Sequence, residues 1–309
     1  MHRVAVVGAG QFGQNHCRIV RQSARAELAA VVDIDSARGT LRDYRELDGK
    51  VDAAIVATPT SVHAEIGCWL LEHGIDVLVE KPIAPDLDSA GKLVSAAEHN
   101  GRMLQVGHLE RFNPAVMALE ARVTLPLFFE IHRLSVFSPR SLDVDVILDL
   151  MIHDIDILLS LTRAEPVEIR AAGISILSPK VDIANVRLQF ENGCVANLTA
   201  SRVSTERVRK LRLFQPQQYI SIDYARQDLT VFSVNSQHQV GFEPVPVAKA
   251  EPLQLQFDAF LDSIETRKSA KTSGRAARRT LQVALAILDK IKNHSEIVSK
   301  SLAGGWKPQ

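Results

Sequence analysis

The amino-acid sequence predicts an α/β chain in two parts: an N-terminal domain with a doubly wound parallel sheet, and a C-terminal α+β domain with an open, mainly antiparallel sheet. Three observations carry that expectation. Short β-branched runs alternate with helix-period segments as far as Val106, the pattern of βαβ units that wind onto both faces of a parallel sheet. Between Val167 and Val240, strand-like runs follow one another across turns such as Glu191-Asn192-Gly193, with little helical period between them, as antiparallel sheets require. Two amphipathic segments then close the chain.

In order, Val4 to Val7 is a strand that ends in glycines, Gln14 to Gln22 a helix, and Leu28 to Ile34 a second strand. Val51 to Ala57 is a third strand, and Glu65 to His73 a helix closed by Gly74. Asp76 to Val79 follows as a strand, Leu87 to Asn100 as a helix closed by Gly101, and Met103 to Val106 as a fifth strand. The texture then changes. Phe128 to Val136 is strand-like, and Val146 to Leu161 has apolar residues at helical spacing. The closing helices cover Leu255 to Thr266 and Arg275 to Asn293, separated by a Ser273-Gly274 break. The domains are placed at 1–115 and 116–309, with a soft limit between residues 108 and 125.

Composition narrows the function classes. A chain of 309 residues can bury two cores. Lys plus Arg and Asp plus Glu both total 36, so no overall field attracts nucleic acid or an anionic membrane. The basic stretch 202–212 reads as a solvated sheet edge rather than a nucleic-acid surface. Cys17, Cys68 and Cys194 are scattered without CxxC spacing, which fits a reducing compartment and no disulfide framework. No leader-like segment opens the chain, and nothing approaches the roughly 18 unbroken apolar residues of a membrane span. A soluble cytoplasmic protein is expected.

Gly8, Gly10 and Gly13 form GxGxxG between a strand and a helix. The first glycine permits the tight turn, the second close backbone approach to a pyrophosphate, and the third close helix–strand packing. Gln11 and Phe12 complete the loop, whose helix N-terminus favours anions. Asp33 ends the second strand 20 residues beyond Gly13, where a carboxylate accepts ribose hydroxyls and repels a 2′-phosphate. NAD is therefore expected over NADP, with Ile34 also at the cofactor. Arg38 is a nearby arginine that could tolerate the phosphate.

Three further segments fall at C-terminal strand ends, the edge where such sheets bind ligands. They are Thr58-Pro59-Thr60-Ser61-Val62-His63, Glu80-Lys81-Pro82, and Gly107-His108-Leu109-Glu110-Arg111-Phe112-Asn113-Pro114. Thr58, Pro59, Thr60, His63, Glu80 and Lys81 are expected at the cofactor. For His63 a structural helix-start contact is an equal alternative. Asp149 and His153 open the first helix of the second domain, four residues apart and on one face. Asp154 and Asp156 lie nearby, but no second histidine or acidic cluster has metal-ligand spacing, so no metal is expected.

From the Gly8–Gly13 loop through TPT–H and EKP to the D-x-x-x-H-x-x-D of Asp149, His153 and Asp156, the chain resembles the Gfo/Idh/MocA oxidoreductases. These act on sugars, cyclitols and related compounds. The resemblance implies an N-terminal Rossmann domain that binds NAD, and a second domain for substrate and assembly. It places catalytic roles on Lys81, His153 and Asp149. Met151 stands where many relatives have glycine, and is expected to alter the shape of the pocket. Alcohol oxidation needs a hydride acceptor, a base near neutrality and help for the developing alkoxide. Histidine suits the base, lysine the alkoxide, and the aspartate orients the imidazole. Lys81 and His153 could exchange roles, being coupled through one hydroxyl.

Arg111 and Asn113 are expected beside the sugar, with Arg133 and Arg140 at an anionic part of the substrate. GHLERFNPA and DLMIHDID resemble the nucleotide-sugar branch of the family, which oxidises the 3-hydroxyl of a UDP-N-acetylhexosamine. A free-sugar or cyclitol dehydrogenase with the same residues is the alternative. A non-enzymatic dinucleotide-binding sensor is a third, against which an intact Lys81 and His153 argue. The resemblance also implies a homodimer or homotetramer formed through the C-terminal sheet.

Overall fold

A computed structural model describes residues 1–137 and 144–303. The first sheet is parallel, with strands β1 (His2–Val7), β2 (Ala26–Val32), β3 (Ala53–Val56), β4 (Asp76–Val79) and β5 (Leu104–Val106) in the order β2-β1-β3-β4-β5. Helices α1 (Gln11–Gln22), α2 (His63–Glu72) and α3 (Leu87–His99) form its crossovers. The strand interiors are apolar on both faces, with Val4 to Val6 and Ala53 to Val56 fully buried, as a covered parallel sheet demands. The order reverses at β1, so β1 and β3 flank the switch point where doubly wound sheets bind ligands.

The second sheet has eight strands: β6 (Phe128–Val136), β7 (Pro166–Ile174), β8 (Ile183–Phe190), β9 (Val195–Ser204), β10 (Val208–Gln215), β11 (Gln218–Asp223), β12 (Asp228–Val234) and β13 (Val240–Val245). Their order is β13-β12-β11-β10-β6-β9-β8-β7. Every pair is antiparallel except β6–β9. Strand alternation decides its two faces. Phe129, Ile131, Leu211, Leu213, Ile220 and Val231 point into a core with residues of α4 (Pro114–Glu120), α5 (Ile152–Thr162) and α7 (Gly274–Ala303). On the other face, Phe128, Phe214, Tyr219, Phe232 and Phe242 form one cross-strand row, with centroid spacings of 5.6, 4.9, 5.2 and 5.1 Å.

Three sequence expectations change. The basic stretch 202–212 is not a sheet edge, because β10 lies between β6 and β11. There Arg212 pairs with Glu130 at 2.8 Å, while Arg202 is buried beside Asp182 and donates to the carbonyls of Val144 and Val181. The helix expected from Val146 begins as a π-helical turn, Ile147–Met151, before α5. Among the described residues, the chain also divides into two compact units, one of 1–112 with 250–281 and the other of 113–249 with the residues from 282 onward. Residues 250–281 therefore belong with the first sheet rather than in a continuous second domain. In α6 (Pro252–Thr266), Leu253, Phe257, Phe260, Leu261 and Ile264 pack in one core with Val4, Val6, Ile55 and Leu78.

Candidate active site

The first unit carries a cavity of about 750 Å³ at the switch point. It is bounded by the glycine loop, the end of β2, the Thr58–Val62 turn and the irregular segment between β2 and β3. Gly8 has φ +92°, and a Cβ there would lie 2.7 Å from the Ala57 carbonyl oxygen. A Cβ on Gly13 would fall 1.8 Å from the Gly8 carbonyl oxygen. Neither position admits a side chain, whereas the Cβ direction of Gly10 is open. Gly10 is the N-cap of α1 and supplies no side-chain cap, leaving that helix end for an anion.

Asp33 stands at the far wall. Its Oδ2 accepts the Ala9 N–H at 2.7 Å and its Oδ1 accepts the Asp35 N–H at 2.9 Å. Two backbone donors thus fix the carboxylate while lone pairs remain toward the cavity. Ile34 is 92% exposed and offers an apolar surface in the same wall. Arg38 also lines the cavity, paired with Asp35 at 3.1 Å. The Thr58 hydroxyl is buried without a hydrogen-bond partner among the described residues. A glycine cradle with an open helix end, an anchored carboxylate, an apolar flank and an orphaned hydroxyl together fit a dinucleotide.

Arg42, Asp43, Tyr44, Arg45 and Glu65 also line the cavity, beyond the residues expected there from sequence. Asp43 caps a short 3₁₀ helix (Tyr44–Leu47) through a capping box with Glu46. Tyr44 then donates to Glu65 Oε1 at 2.9 Å, and the Arg45 guanidinium lies 4.9 Å from the Tyr44 ring centre. Only the D-x-x-E spacing of that capping box was there to be read.

Behind the cavity, His63 proves to be a structural residue. It is 1% exposed, with Nδ1 2.9 Å from the Pro82 carbonyl and Nε2 2.9 Å from the Thr58 carbonyl. Both nitrogens are spent within the protein, so its expected place at the cofactor becomes a place beneath the wall. Burial pushes its pKa below the usual histidine value, although two carbonyl acceptors oppose that shift. Glu80 is turned inward as well. Its Oε1 lies 2.8 Å from His16 Nε2, and its Oε2 accepts the Lys81 N–H at 3.2 Å. Lys81 follows β4 and is partly exposed. Thr60 opens the 3₁₀ turn Thr60–Val62, and Pro59 lines the cavity.

In the second unit, Asp149 lies in the π-helical turn and His153 in the first turn of α5, both partly exposed. π-turns inside helices are frequent at functional sites. Met151 is fully buried in the unit's core and so does not shape a pocket. Arg133 is corrected too. It is 2% exposed, and its Nε and Nη2 each donate to Asp154 at 2.8 Å, with Tyr224 stacked 5.0 Å away. A guanidinium held by both edges of a buried carboxylate is not available to a diphosphate. Asn113 is committed as well, capping α4 at the Ala115 N–H and donating to the Tyr224 carbonyl at 3.0 Å. Arg111 remains partly exposed in the first unit, and Arg140 lies outside the described residues. Among the described residues, no group of three or more His, Cys, Asp or Glu side chains is placed to hold a metal. No described helix is long and apolar enough to cross a membrane.

Comparison with known proteins agrees with this geometry. Residues 2–108 match the profile of the oxidoreductase family with NAD-binding Rossmann fold, and residues 119–219 match the GFO/IDH/MocA C-terminal domain. The chain is similar to UDP-N-acetylglucosamine 3-dehydrogenase of Acidithiobacillus ferrooxidans, with 35% identity over 92% of this chain and 96% of that protein. A solved structure of that enzyme superposes with TM-score 0.89 and 34% identity, covering 94% and 98% of the two chains. An inositol 2-dehydrogenase of Arthrobacter sp. is 32% identical over 63% of this chain and 66% of its own length. The chain belongs to the Gfo/Idh/MocA family of NAD-dependent oxidoreductases.

Proposed function

We propose that this chain oxidises the 3-hydroxyl of a UDP-N-acetylhexosamine, with NAD as hydride acceptor. The observation that carries the reading is the likeness to UDP-N-acetylglucosamine 3-dehydrogenase along nearly all of both chains. In sequence, the likeness to the inositol 2-dehydrogenase covers only about two thirds of either chain. Bound NAD supplies the hydride-accepting ring. His153 takes the hydroxyl proton, Asp149 stabilises the imidazolium, and the Lys81 ammonium lowers the cost of the developing alkoxide. Asp33 selects NAD over NADP by accepting ribose hydroxyls and repelling a 2′-phosphate. Arg140 is assigned to the anionic part of the substrate, where remote binding holds the sugar in place, and Arg111 to the sugar side.

The aromatic row on the outer face of the second sheet supports self-association as a homodimer or homotetramer. Phe214 and Phe242 expose 37% and 63% of their surface there, and such rows mark interaction surfaces. We place the protein in the cytoplasm on its scattered, unpaired cysteines. The direct test incubates the protein with NAD and UDP-N-acetylglucosamine, with an aminotransferase present to trap the keto sugar. A product two mass units lighter, or its amine, is expected. No such product, together with ready NAD reduction by a free sugar or inositol, overturns the substrate assignment. Light scattering on the eluting protein reads the assembly; a monomer overturns that part.

A further inference from the structure

Two buried histidines that take no part in hydride transfer converge on the turn carrying Lys81. His63 reaches the Pro82 carbonyl oxygen at 2.9 Å from a ring that also faces the Thr58 carbonyl oxygen at 2.9 Å. His16 is fully buried on α1 and reaches Glu80 Oε1 at 2.8 Å. The other Glu80 oxygen accepts the Lys81 N–H. The main chain of Lys81–Pro82 is thus tied on its amide side, through Glu80, to the helix that begins at the glycine loop. On its carbonyl side it is tied, through His63, to the turn after β3. Gly107 makes room for the arrangement, since a Cβ there would lie 2.7 Å from Glu80 Oε2.

Chemistry explains why a lysine needs this support. Its ammonium sits on a flexible four-carbon stem, and its reach is set by where the backbone starts. A misplacement of about 1 Å at a reacting centre costs roughly a hundredfold in rate. Histidine serves well here because its rigid ring, anchored at the start of α2, holds one N–H donor at a fixed point beside these carbonyls; the neutral ring donates from one nitrogen at a time. Glutamine at the same position also carries an N–H donor, but on a flexible side chain that fixes the carbonyl less firmly. Glu80 has a double duty, with one oxygen for His16 and one for the Lys81 amide.

We propose that His63 and the His16–Glu80 pair are positioning residues for Lys81, fixing the Lys81–Pro82 main chain so that the ammonium is delivered to one point. The proposal rests on the reading of Lys81 as the electrostatic partner of the reacting oxygen, and two arms separate their failures. The first arm needs no substrate. Hydrogen exchange, followed by mass spectrometry on the folded proteins, should show faster exchange over residues 81–84 in His63→Gln and Glu80→Gln, with the glycine loop unchanged. Unaltered exchange of that segment in both variants overturns the proposal, whatever the substrate proves to be.

The second arm is a double-substitution cycle with UDP-N-acetylglucosamine and NAD, or with inositol if the wild type uses that instead. His63→Gln and Glu80→Gln should each lower kcat by roughly tenfold to a hundredfold, with Kd for NAD within about threefold. In a Lys81→Met background the same substitutions should have no further effect, because residues acting through one group are not additive. Full additivity overturns the proposal. So does lost NAD affinity at unchanged kcat, since that makes these residues part of the cofactor wall. If Glu80→Gln fails to fold, Gly107→Ala perturbs the same carboxylate from outside and is read the same way.

Discussion

The two compact units hold their chemical groups by different means. In the first, the site is made largely of backbone: glycines where a side chain would collide, a helix end, and turns after parallel strands. Its acid, Asp33, is fixed by the N–H groups of Ala9 and Asp35. In the second, Asp149 and His153 ride on a π-turn and the helix that follows it. The same helix carries Asp154, which forms a buried charge pair with Arg133, flanked by Tyr224. A backbone-built site tolerates exchange of its outward side chains. One that rests on a buried ion pair does not, because either charge left alone in a low-dielectric interior is costly.

The largest expected effect tests that difference directly. Arg133→Met or Asp154→Leu alone should destabilise the second unit by about 3–5 kcal/mol, read as a lower urea midpoint or loss of folded protein. The double variant should be milder than either single one. If both singles unfold at the wild-type midpoint, the contrast between the units collapses.

Next come the reacting groups. Lys81→Met and His153→Asn should each lower kcat by roughly 10² to 10⁴, with NAD affinity changed by only a few-fold. Asp149→Asn should fall between these and the wild type, with a displaced pH–rate profile. Near wild-type turnover in a Lys81→Met/His153→Asn protein sinks the assignment. In the first unit, Asp33→Ser removes both ribose contacts and repulsion. It should narrow the preference for NAD over NADP by about tenfold or more, as measured by the two dissociation constants. An unchanged ratio would mean that the Arg38 side of the wall, not Asp33, sets the selection.

The smallest effect concerns acidity. His63 is held below its usual value of 6.5, so between that lowered value and 6.5 the unfolded chain binds the extra proton. Its contribution to stability is complete above about pH 6.5 and is lost as the pH falls below it. Melting curves between about pH 7.5 and 5.5 should therefore be steeper in acid for the wild type than for His63→Gln. Equal slopes remove His63 from the account.

How far the sequence could be read follows the same division. The glycine loop, Asp33 and the parallel strands were legible because each is a local pattern with one physical meaning. Arg133 was not. A lone arginine on a strand looks the same whether it faces a phosphate or a carboxylate, and Asp154 lies 21 residues away. The π-turn at Asp149 has no residue signature, since its side chains are spaced as any apolar helix would space them. Helix α6 was recognised as amphipathic, but nothing in its stripe says which sheet Phe257 and Phe260 cover. Arg42, Tyr44 and Arg45 sit in a segment without periodicity, so their role emerges only once the chain closes around the cavity.

One side chain turns this wall into an optical instrument. Trp69 meets the Tyr44 ring edge-on at 5.5 Å and stacks on His73 at 3.9 Å, and Tyr44 borders the dinucleotide cavity. The chain has two tryptophans, the other being Trp306, so Trp306→Phe leaves a single indole one aromatic contact from the cavity wall. Its fluorescence then becomes an internal gauge of occupancy that needs no label, no turnover and no knowledge of the sugar.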